Sequence, residues 1–248
     1  MEIQKWKKLL LKHLKKRLKK NNIAGFIYEP LVQGAAAMKM HCAEHLEKIL
    51  SLLKKQEVLL IADEVMTGFG KTGKYFASDY LETKPDIMCL SKALTAGLIP
   101  MGLTTCTEEV YMAFYSDDVA KGLFHGHTYT ANPLACTAAL AALELLQTDA
   151  IQQNIRDIME WHRKFDEEIK QHPQVSNTRQ LGVIYALDLN VQTERYGNLR
   201  DKLFKHFMDR GVFLRPLGNT IYILAPYVTT REQMERIYGA IKSVVGLV

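Results

Sequence analysis

Short apolar runs alternate with stretches of helical periodicity through the first 150 residues of the chain. Residues 23–28, 58–62 and 86–90 are apolar runs of strand length, and the last two are typical of strands buried on both faces. Residues 42–56 show helical spacing, and residues 133–146 form an Ala- and Leu-rich helical stretch. Because strands and helices alternate, the pattern predicts an α/β fold with a mostly parallel sheet.

The pattern changes after about Asp149. In chain order it predicts a helix at 151–171, a strand at 183–189, a helix at 199–209 and a strand at 212–225. A last helix is expected after Thr230, a residue type favoured at helix N-caps, with Gln233 and Glu235 behind it. We therefore predict a domain boundary near residue 150, with a small α+β domain at 151–248 following residues 1–150.

Positive charge is concentrated at the N-terminal end. The chain carries a formal charge of +5, yet residues 1–20 hold nine Lys or Arg against Glu2 alone. Trp6, Leu10, Leu14 and Leu18 recur there at helical spacing, which predicts an amphipathic helix with a solvated cationic face. A basic organelle-import peptide is the alternative interpretation.

Other features of the composition favour a cytoplasmic protein without a membrane span. No apolar run reaches the length that crosses a bilayer, and the N-terminal end is charged rather than apolar. The four cysteines are widely spaced and form no CxxC pair, as expected of reduced thiols. No metal site is predicted, because His41 and His45 stand one helical turn apart without a third ligand.

Three polar residues stand at the ends of the first three predicted strands: Glu29, Asp63 and Lys92. Ligands of open α/β sheets bind at the carboxyl ends of strands, so these side chains are expected at one crevice. Pyridoxal phosphate chemistry needs a lysine for covalent attachment and an acid beside the pyridine nitrogen. For either residue alone, a capping role for Asp63 or a surface position for Lys92 remains the simpler interpretation.

Three segments together carry a family resemblance. Residues 62–73, A-D-E-V-M-T-G-F-G-K-T-G, resemble the cofactor signature of class III aminotransferases, and residues 86–97, D-I-M-C-L-S-K-A-L-T-A-G, resemble their lysine signature. Glu29-Pro30 with Gln33-Gly34 resembles their upstream E-P-x-x-Q-G element. The resemblance implies pyridoxal 5'-phosphate as cofactor. It also implies that residues 1–150 are the C-terminal part of a fold type I large domain, followed by the family's small domain.

Further details resemble the biotin-synthesis branch of that family. They are the sequence Y-E-P-L-V-Q-G-A-A-A-M, Met66 where many relatives have Gln, the segment His125 to Cys136 and the segment Leu214 to Tyr227. The resemblance implies transfer of an amino group to 8-amino-7-oxononanoate, with S-adenosylmethionine as the donor in most relatives and lysine in some. Another class III aminotransferase, acting on an ω-amino acid or a diamine, is the alternative enzyme.

The resemblance also implies roles for residues that contact the cofactor. Lys92 would attach the cofactor and move a proton at the substrate Cα, and Asp63 would hold the pyridine nitrogen. Val65 would pack on the ring, although it could be plain core. Thr128, with His127 beside it, would donate to the cofactor phosphate of a neighbouring subunit in a homodimer. Thr128 could equally cap the helix that begins near 133.

Two further residues are implied to contact the substrate together with Lys92. Gly126 stands at a substrate-contact position, and Arg215 resembles the arginine that grips the substrate carboxylate. The planar fork of a guanidinium suits such bidentate pairing.

The resemblance begins part-way through the family's pattern. The Gly-Ser loop that holds the cofactor phosphate, the aromatic residue that stacks on the ring and the aromatic residues of the substrate pocket have no counterpart before Ile23. We therefore expect the chain to be a C-terminal portion that is inactive by itself. The alternative that is not an enzyme is a catalytically silent fragment that only packs against a partner chain. Neither nucleic acid nor membrane is an expected partner.

Overall fold

The computed structural model describes residues 12–18, 22–192 and 197–246. Residues 12–18 are helical; Leu18 is buried, whereas Lys12, Lys15 and Lys16 are exposed. This part of the predicted amphipathic helix is therefore present. Trp6 and Leu10 lie outside the described residues.

The described chain contains six α-helices and nine strands, and in addition the helical segment 12–18. The strands are β1 (Gly25–Tyr28), β2 (Val32–Gln33), β3 (Lys39–Met40), β4 (Leu59–Asp63), β5 (Ile87–Leu90), β6 (Leu103–Cys106), β7 (Val175–Leu181), β8 (Ile184–Leu189) and β9 (Thr220–Leu224). The helices are α1 (Ala43–Lys54), α2 (Glu108–Met112), α3 (Pro133–Leu146), α4 (Asp149–Ile169), α5 (Asn198–Met208) and α6 (Arg231–Val245). Short 3-10 turns cover Ala77–Tyr80, Lys92–Thr95 and Val119–Lys121.

Contacts divide the chain into two compact units. The first comprises the described residues up to Val32 together with His41–Phe69 and Phe76–Leu143. The second comprises Gln33–Met40, Gly70–Tyr75 and the described residues from Glu144 onward. The domain boundary near residue 150 stays a prediction.

The first unit contains a four-stranded sheet in the order β1-β4-β5-β6. β1, β4 and β5 are parallel, and β6 runs antiparallel to β5. The α/β class with a mostly parallel sheet is therefore confirmed. β6 was not expected, because its sequence LTTC has no apolar run and all four residues are exposed.

The expectation that residues 58–62 are buried on both faces is wrong for the described chain. Leu60 and Ala62 are fully buried, whereas Leu59 is 39% exposed and Ile27, which pairs with Ile61, is 63% exposed. Strand side chains alternate between faces, so one face of β1 and β4 is covered and the other is open. On the covered side, α1 packs against β4.

The second unit contains a three-stranded antiparallel sheet, β7-β8-β9, with the helices α4, α5 and α6. β8 is its centre, and five of its six residues are buried. β7 was not expected, because VSNTRQL is polar. The last helix begins as predicted: Thr230 caps α6, and Gln233 completes a capping box.

The strand predicted at 212–225 is only partly correct, because pairing begins at Thr220. Pro216 has no N–H for a ladder, and Gly218 has φ +67°, which turns the chain. Leu217 and Thr220 exchange backbone hydrogen bonds across that turn.

Among the described residues, no single helix combines the length and apolar character that a membrane span requires. The pair α3 and α4 passes that test together, by length and composition alone.

Candidate functional site

Glu29, Asp63 and Lys92 stand at the carboxyl ends of three adjacent parallel strands. Glu29 directly follows β1, Asp63 is the last residue of β4, and Lys92 comes two residues after β5 ends at Leu90. The strand order β1-β4-β5 makes these strands neighbours. The sheet therefore brings a lysine and two acids to one edge, as the sequence pattern predicts.

Asp63 is fixed by its own backbone turn. Its Oδ1 accepts a hydrogen bond from the Val65 backbone N–H at 3.1 Å, and the Glu64 N–H donates to the carbonyl of Cys89 at 3.0 Å. Asp63 and Cys89 are register partners. Burial, and after it the Asp63 carboxylate, raise the pKa of the Cys89 thiol. Among the described residues, none donates a hydrogen bond to the second carboxylate oxygen of Asp63, so it can accept one from a ligand.

Lys92 lies on a strained and exposed turn. Its φ is +43°, in the left-handed region that residues other than glycine rarely adopt. Two hydroxyl groups hold the turn: Ser91 Oγ donates to the Met101 carbonyl and Thr95 Oγ1 donates to the Ile99 carbonyl, both at 2.6 Å. Strain of this kind persists only where the surroundings enforce it, and it concentrates at functional sites.

Glu64 is a supporting residue that the sequence pattern did not single out. It is fully buried, and its carboxylate accepts hydrogen bonds from the Thr67 hydroxyl, the Ala77 N–H and both the N–H and the hydroxyl of Ser78. Four donors compensate a buried charge that would otherwise be costly. Because Glu64 is covalently next to Asp63, this network fixes the backbone on which Asp63 sits.

The segment that carries Gly126, His127 and Thr128 is an exposed turn within the first unit. The His127 N–H donates to Thr130 Oγ1 at 3.0 Å, and the Tyr129 N–H donates to His127 Nδ1 at 3.1 Å. A Cβ at Gly126 would meet no described atom within 4 Å. The interpretation of Thr128 as the cap of α3 is not supported: Asn132 accepts from the first turn of that helix instead.

Arg215 belongs to the second unit and lines a pocket of about 230 Å³ there. Val65 is half-buried and lies two residues after the end of β4. Both remain predicted site residues.

The sequence profile of the aminotransferase class-III family matches residues 2–245. The chain belongs to the class-III aminotransferases. Its strand-end lysine and acid are therefore found in a family of pyridoxal-phosphate enzymes.

Individual relatives are similar across most of this chain. The adenosylmethionine-8-amino-7-oxononanoate aminotransferase of Synechococcus elongatus is 43% identical over 224 residues, which cover 89% of this chain and 52% of that protein. The solved structure of the enzyme of that name from Methanocaldococcus jannaschii is 32% identical, with a TM-score of 0.80, and covers 88% of this chain and 53% of that one. A solved transaminase with L-ala is 30% identical with a TM-score of 0.88, over 98% of this chain and 59% of that one.

These matches confirm the fold type I architecture that the resemblance implied. The chain spans about half the length of the curated relatives it matches.

The described residues fit one part of a pyridoxal phosphate site. Asp63 offers a half-buried carboxylate, one oxygen of which accepts no hydrogen bond from the described part of the chain, and this suits a protonated ring nitrogen. Lys92 offers an amine on the turn after the next strand. For the cofactor phosphate, the resemblance assigns only His127 and Thr128 among the described residues.

Proposed function

We propose that this chain carries the lysine-bearing part of an aminotransferase of biotin synthesis. The reaction is transfer of an amino group to 8-amino-7-oxononanoate, giving 7,8-diaminononanoate, with S-adenosylmethionine as donor. The observation that carries the proposal is the placement of Asp63 and Lys92 at the ends of adjacent parallel strands, β4 and β5. The 43% identity to the Synechococcus elongatus relative supports the choice of substrate.

The residues divide the chemical work between them. When bound, pyridoxal phosphate supplies an electron-accepting ring that stabilises negative charge at a substrate carbon. Asp63 would keep the proton on the ring nitrogen, because its carboxylate would form a charge-assisted hydrogen bond there. Lys92 would provide the amine for covalent attachment and would move the proton at the substrate Cα. Val65 would pack on the ring face.

Other assigned residues bind substrate or a second subunit. Arg215 binds the substrate carboxylate through its planar fork, and Gly126 leaves room at a substrate-contact position. Thr128, with His127 beside it, would donate to the cofactor phosphate of a second copy in a homodimer. Their exposure in the described chain is consistent with contacts to groups outside it.

The test is an amino-transfer assay on this chain produced together with the portion of the Synechococcus elongatus relative that it does not match. The substrate is 8-amino-7-oxononanoate, and either S-adenosylmethionine or lysine is the donor. Mass spectrometry should detect 7,8-diaminononanoate with S-adenosylmethionine. Formation of the product with lysine alone would identify lysine as the amino donor. Absence of the product with both donors would contradict the proposed reaction.

A second function is supported by the likeness to the solved ornithine delta-aminotransferase of Plasmodium falciparum, which is 28% identical with a TM-score of 0.82, because ornithine is a diamine. In that case the same assembly would aminate or deaminate an ω-amino acid or a diamine, and 8-amino-7-oxononanoate would not react. The visible spectrum after addition of cofactor separates either enzyme from a silent fragment, because a silent fragment would leave the spectrum of free cofactor unchanged.

A further inference from the structure

The pocket around Arg215 contains a second arginine. The described residues that line it are Arg200, Asp201, Phe204, Phe213, Arg215 and Pro216. The first three belong to α5, and the last three to the segment between α5 and β9. All of them lie in the second unit.

The charges in the pocket favour binding of a ligand that carries a single negative charge. Two guanidinium groups and one carboxylate line it, which leaves a net charge of about +1 at neutral pH. Within the described ranges, no ion pair joins Arg200, Asp201 or Arg215 to another charged side chain. The guanidinium N–H groups are therefore available to a ligand, and a carboxylate is a planar acceptor that matches them.

The apolar part of the pocket is formed by two phenylalanine rings and Pro216. Phe204 and Phe213 meet edge to face, with their ring centroids 5.9 Å apart. Phe213 is 68% exposed, so contact with the methylene groups of a ligand would remove apolar surface from water. The cavity of about 230 Å³ is smaller than the roughly 300–1,000 Å³ of a complete small-molecule site. It therefore suits one end of a substrate.

We propose that Arg200 is a second carboxylate-binding residue, and that this pocket selects the carboxylate end of an aliphatic monocarboxylic substrate. This inference rests on the proposed function, because it takes the Arg215 pocket as the place where the substrate carboxylate binds. Phe204 and Phe213 hold the methylene groups next to the carboxylate. A substrate whose carboxylate stands on the reacting carbon has no such chain and gains nothing from the two rings.

The test is a calorimetric titration with octanoate of this chain, produced together with the portion of the Synechococcus elongatus relative that it does not match. Arg200→Gln should weaken octanoate binding about tenfold. Arg200→Lys should weaken it less, because lysine keeps the positive charge although it lacks the planar fork. Arg210→Gln is the matched control. It removes the same charge from an exposed residue just after α5 that does not line the pocket, and it should bind octanoate like the parent chain. Thermal melting of each variant checks that it is folded.

Two further ligands test which chemical class of ligand the pocket binds. Octanamide should bind weakly and equally to the parent chain and to Arg200→Gln, because it lacks the charge. Inorganic phosphate should bind less tightly than octanoate, because it makes no contact with the rings. Equal binding of octanoate by the Arg200→Gln and Arg210→Gln variants would overturn the role of Arg200. Phosphate binding as tight as that of octanoate would overturn the selection of an aliphatic chain.

The result is separable from the proposed function. Arg200-dependent binding of octanoate without cofactor attachment at Lys92 would contradict the aminotransferase proposal and leave the pocket assignment standing. Attachment at Lys92 with octanoate binding unchanged in Arg200→Gln would contradict this inference alone.

Discussion

Asp63 is the residue for which a single-atom change is most informative. Asp63→Asn keeps the size of the side chain but removes the charge that stabilises a protonated ring nitrogen. Losing about 4 kcal/mol of transition-state stabilisation lowers the rate roughly a thousandfold. We expect the amino-transfer rate of the reconstituted enzyme to fall by that order, with an unchanged circular dichroism spectrum. Asp117→Asn, at an exposed acid, is the control; a rate for Asp63→Asn within a few-fold of this control would exclude Asp63 as the ring partner.

His162 gives the second unit a defined pH dependence of stability. It is fully buried; its Nε2 hydrogen-bonds to the Val183 carbonyl at 3.2 Å, and the Tyr238 hydroxyl hydrogen-bonds to its Nδ1 at 2.7 Å. Burial lowers the pKa of His162 to about 4, from 6.5. The unfolded chain therefore binds the proton more tightly, so the contribution to stability is present above pH 6.5 and is lost as the pH falls toward 4.

We expect the free energy of unfolding to drop by about 2 kcal/mol between pH 7 and pH 5 because of this residue. Denaturant titrations at several pH values measure it. His162→Gln retains hydrogen-bonding groups and does not titrate, so its stability should change less over this range. An unchanged pH slope in that variant would show that other groups control the acid response.

At the scale of single residues, the sequence predicted the candidate site residues that lie within recognisable motifs. Asp63 and Lys92 were predicted because each follows an apolar run and lies in a recognisable signature. Glu64 was missed, because nothing in the sequence distinguishes a buried acid with four donors from an exposed neighbour of Asp63. Its role depends on Ala77 and Ser78, which only the folded chain brings close.

Gly182, between β7 and β8, packs directly against a preceding segment of the second unit. A Cβ there would lie 2.2 Å from the Thr72 carbonyl carbon and 2.4 Å from the Gly73 nitrogen, and φ at Gly182 is +60°. The next residue, Val183, donates its N–H to the Lys71 carbonyl at 3.0 Å. We expect Gly182→Ala to lower the free energy of unfolding by about 2–4 kcal/mol.

Gly239→Ala is the matched control within α6. A Cβ at Gly239 meets no described atom within 4 Å, so alanine should stabilise the helix by about 1 kcal/mol. Chemical denaturation of the two variants measures both effects. A Gly182→Ala variant as stable as the parent would mean that the hairpin does not pack on residues 71–73 as described.

Elements were predicted well wherever apolar periodicity defines them. The helix predicted at 133–146 has the observed bounds of α3, and β1, β4, β5 and β8 overlap their predicted runs. β6 and β7 escaped prediction because backbone pairing with neighbours, and not apolar side chains, defines them. Residues 212–216 alternate between buried and exposed like a strand, yet they precede the turn at Gly218 and form no ladder.

At the scale of the whole molecule, most of the large exposed apolar side chains belong to the first unit. Among the described residues they are Ile27, Leu59, Leu98, Leu103, Tyr111, Met112, Phe114, Tyr115, Val119, Leu123, Phe124, Tyr129, Leu134, Leu140 and Leu143. Soluble monomers rarely expose apolar patches larger than a few hundred Å². We expect residues 1–248 alone to bind a hydrophobic dye and to self-associate, to bind pyridoxal phosphate poorly and not to turn over.

Light scattering and dye fluorescence across a concentration series test this expectation. Production together with the unmatched portion of the Synechococcus elongatus relative should suppress both signals. A monodisperse chain that is active by itself would show that residues 1–248 are sufficient for the reaction, and it would contradict this expectation.

The central claim is that Lys92 attaches the cofactor, and borohydride trapping tests it most directly. The chain, produced together with the unmatched portion of the Synechococcus elongatus relative, is incubated with excess pyridoxal phosphate, reduced with borohydride and mapped by peptide mass spectrometry. The other lysine most expected to react with the cofactor is Lys71. Burial lowers the pKa of Lys71 to about 8 and so leaves more of its amine uncharged. We expect the label on Lys92, with its yield unchanged by Lys71→Arg and abolished by Lys92→Arg. A label that stays on Lys71 or spreads over many lysines when Lys92 is replaced, with no loss of total yield, would contradict the assignment.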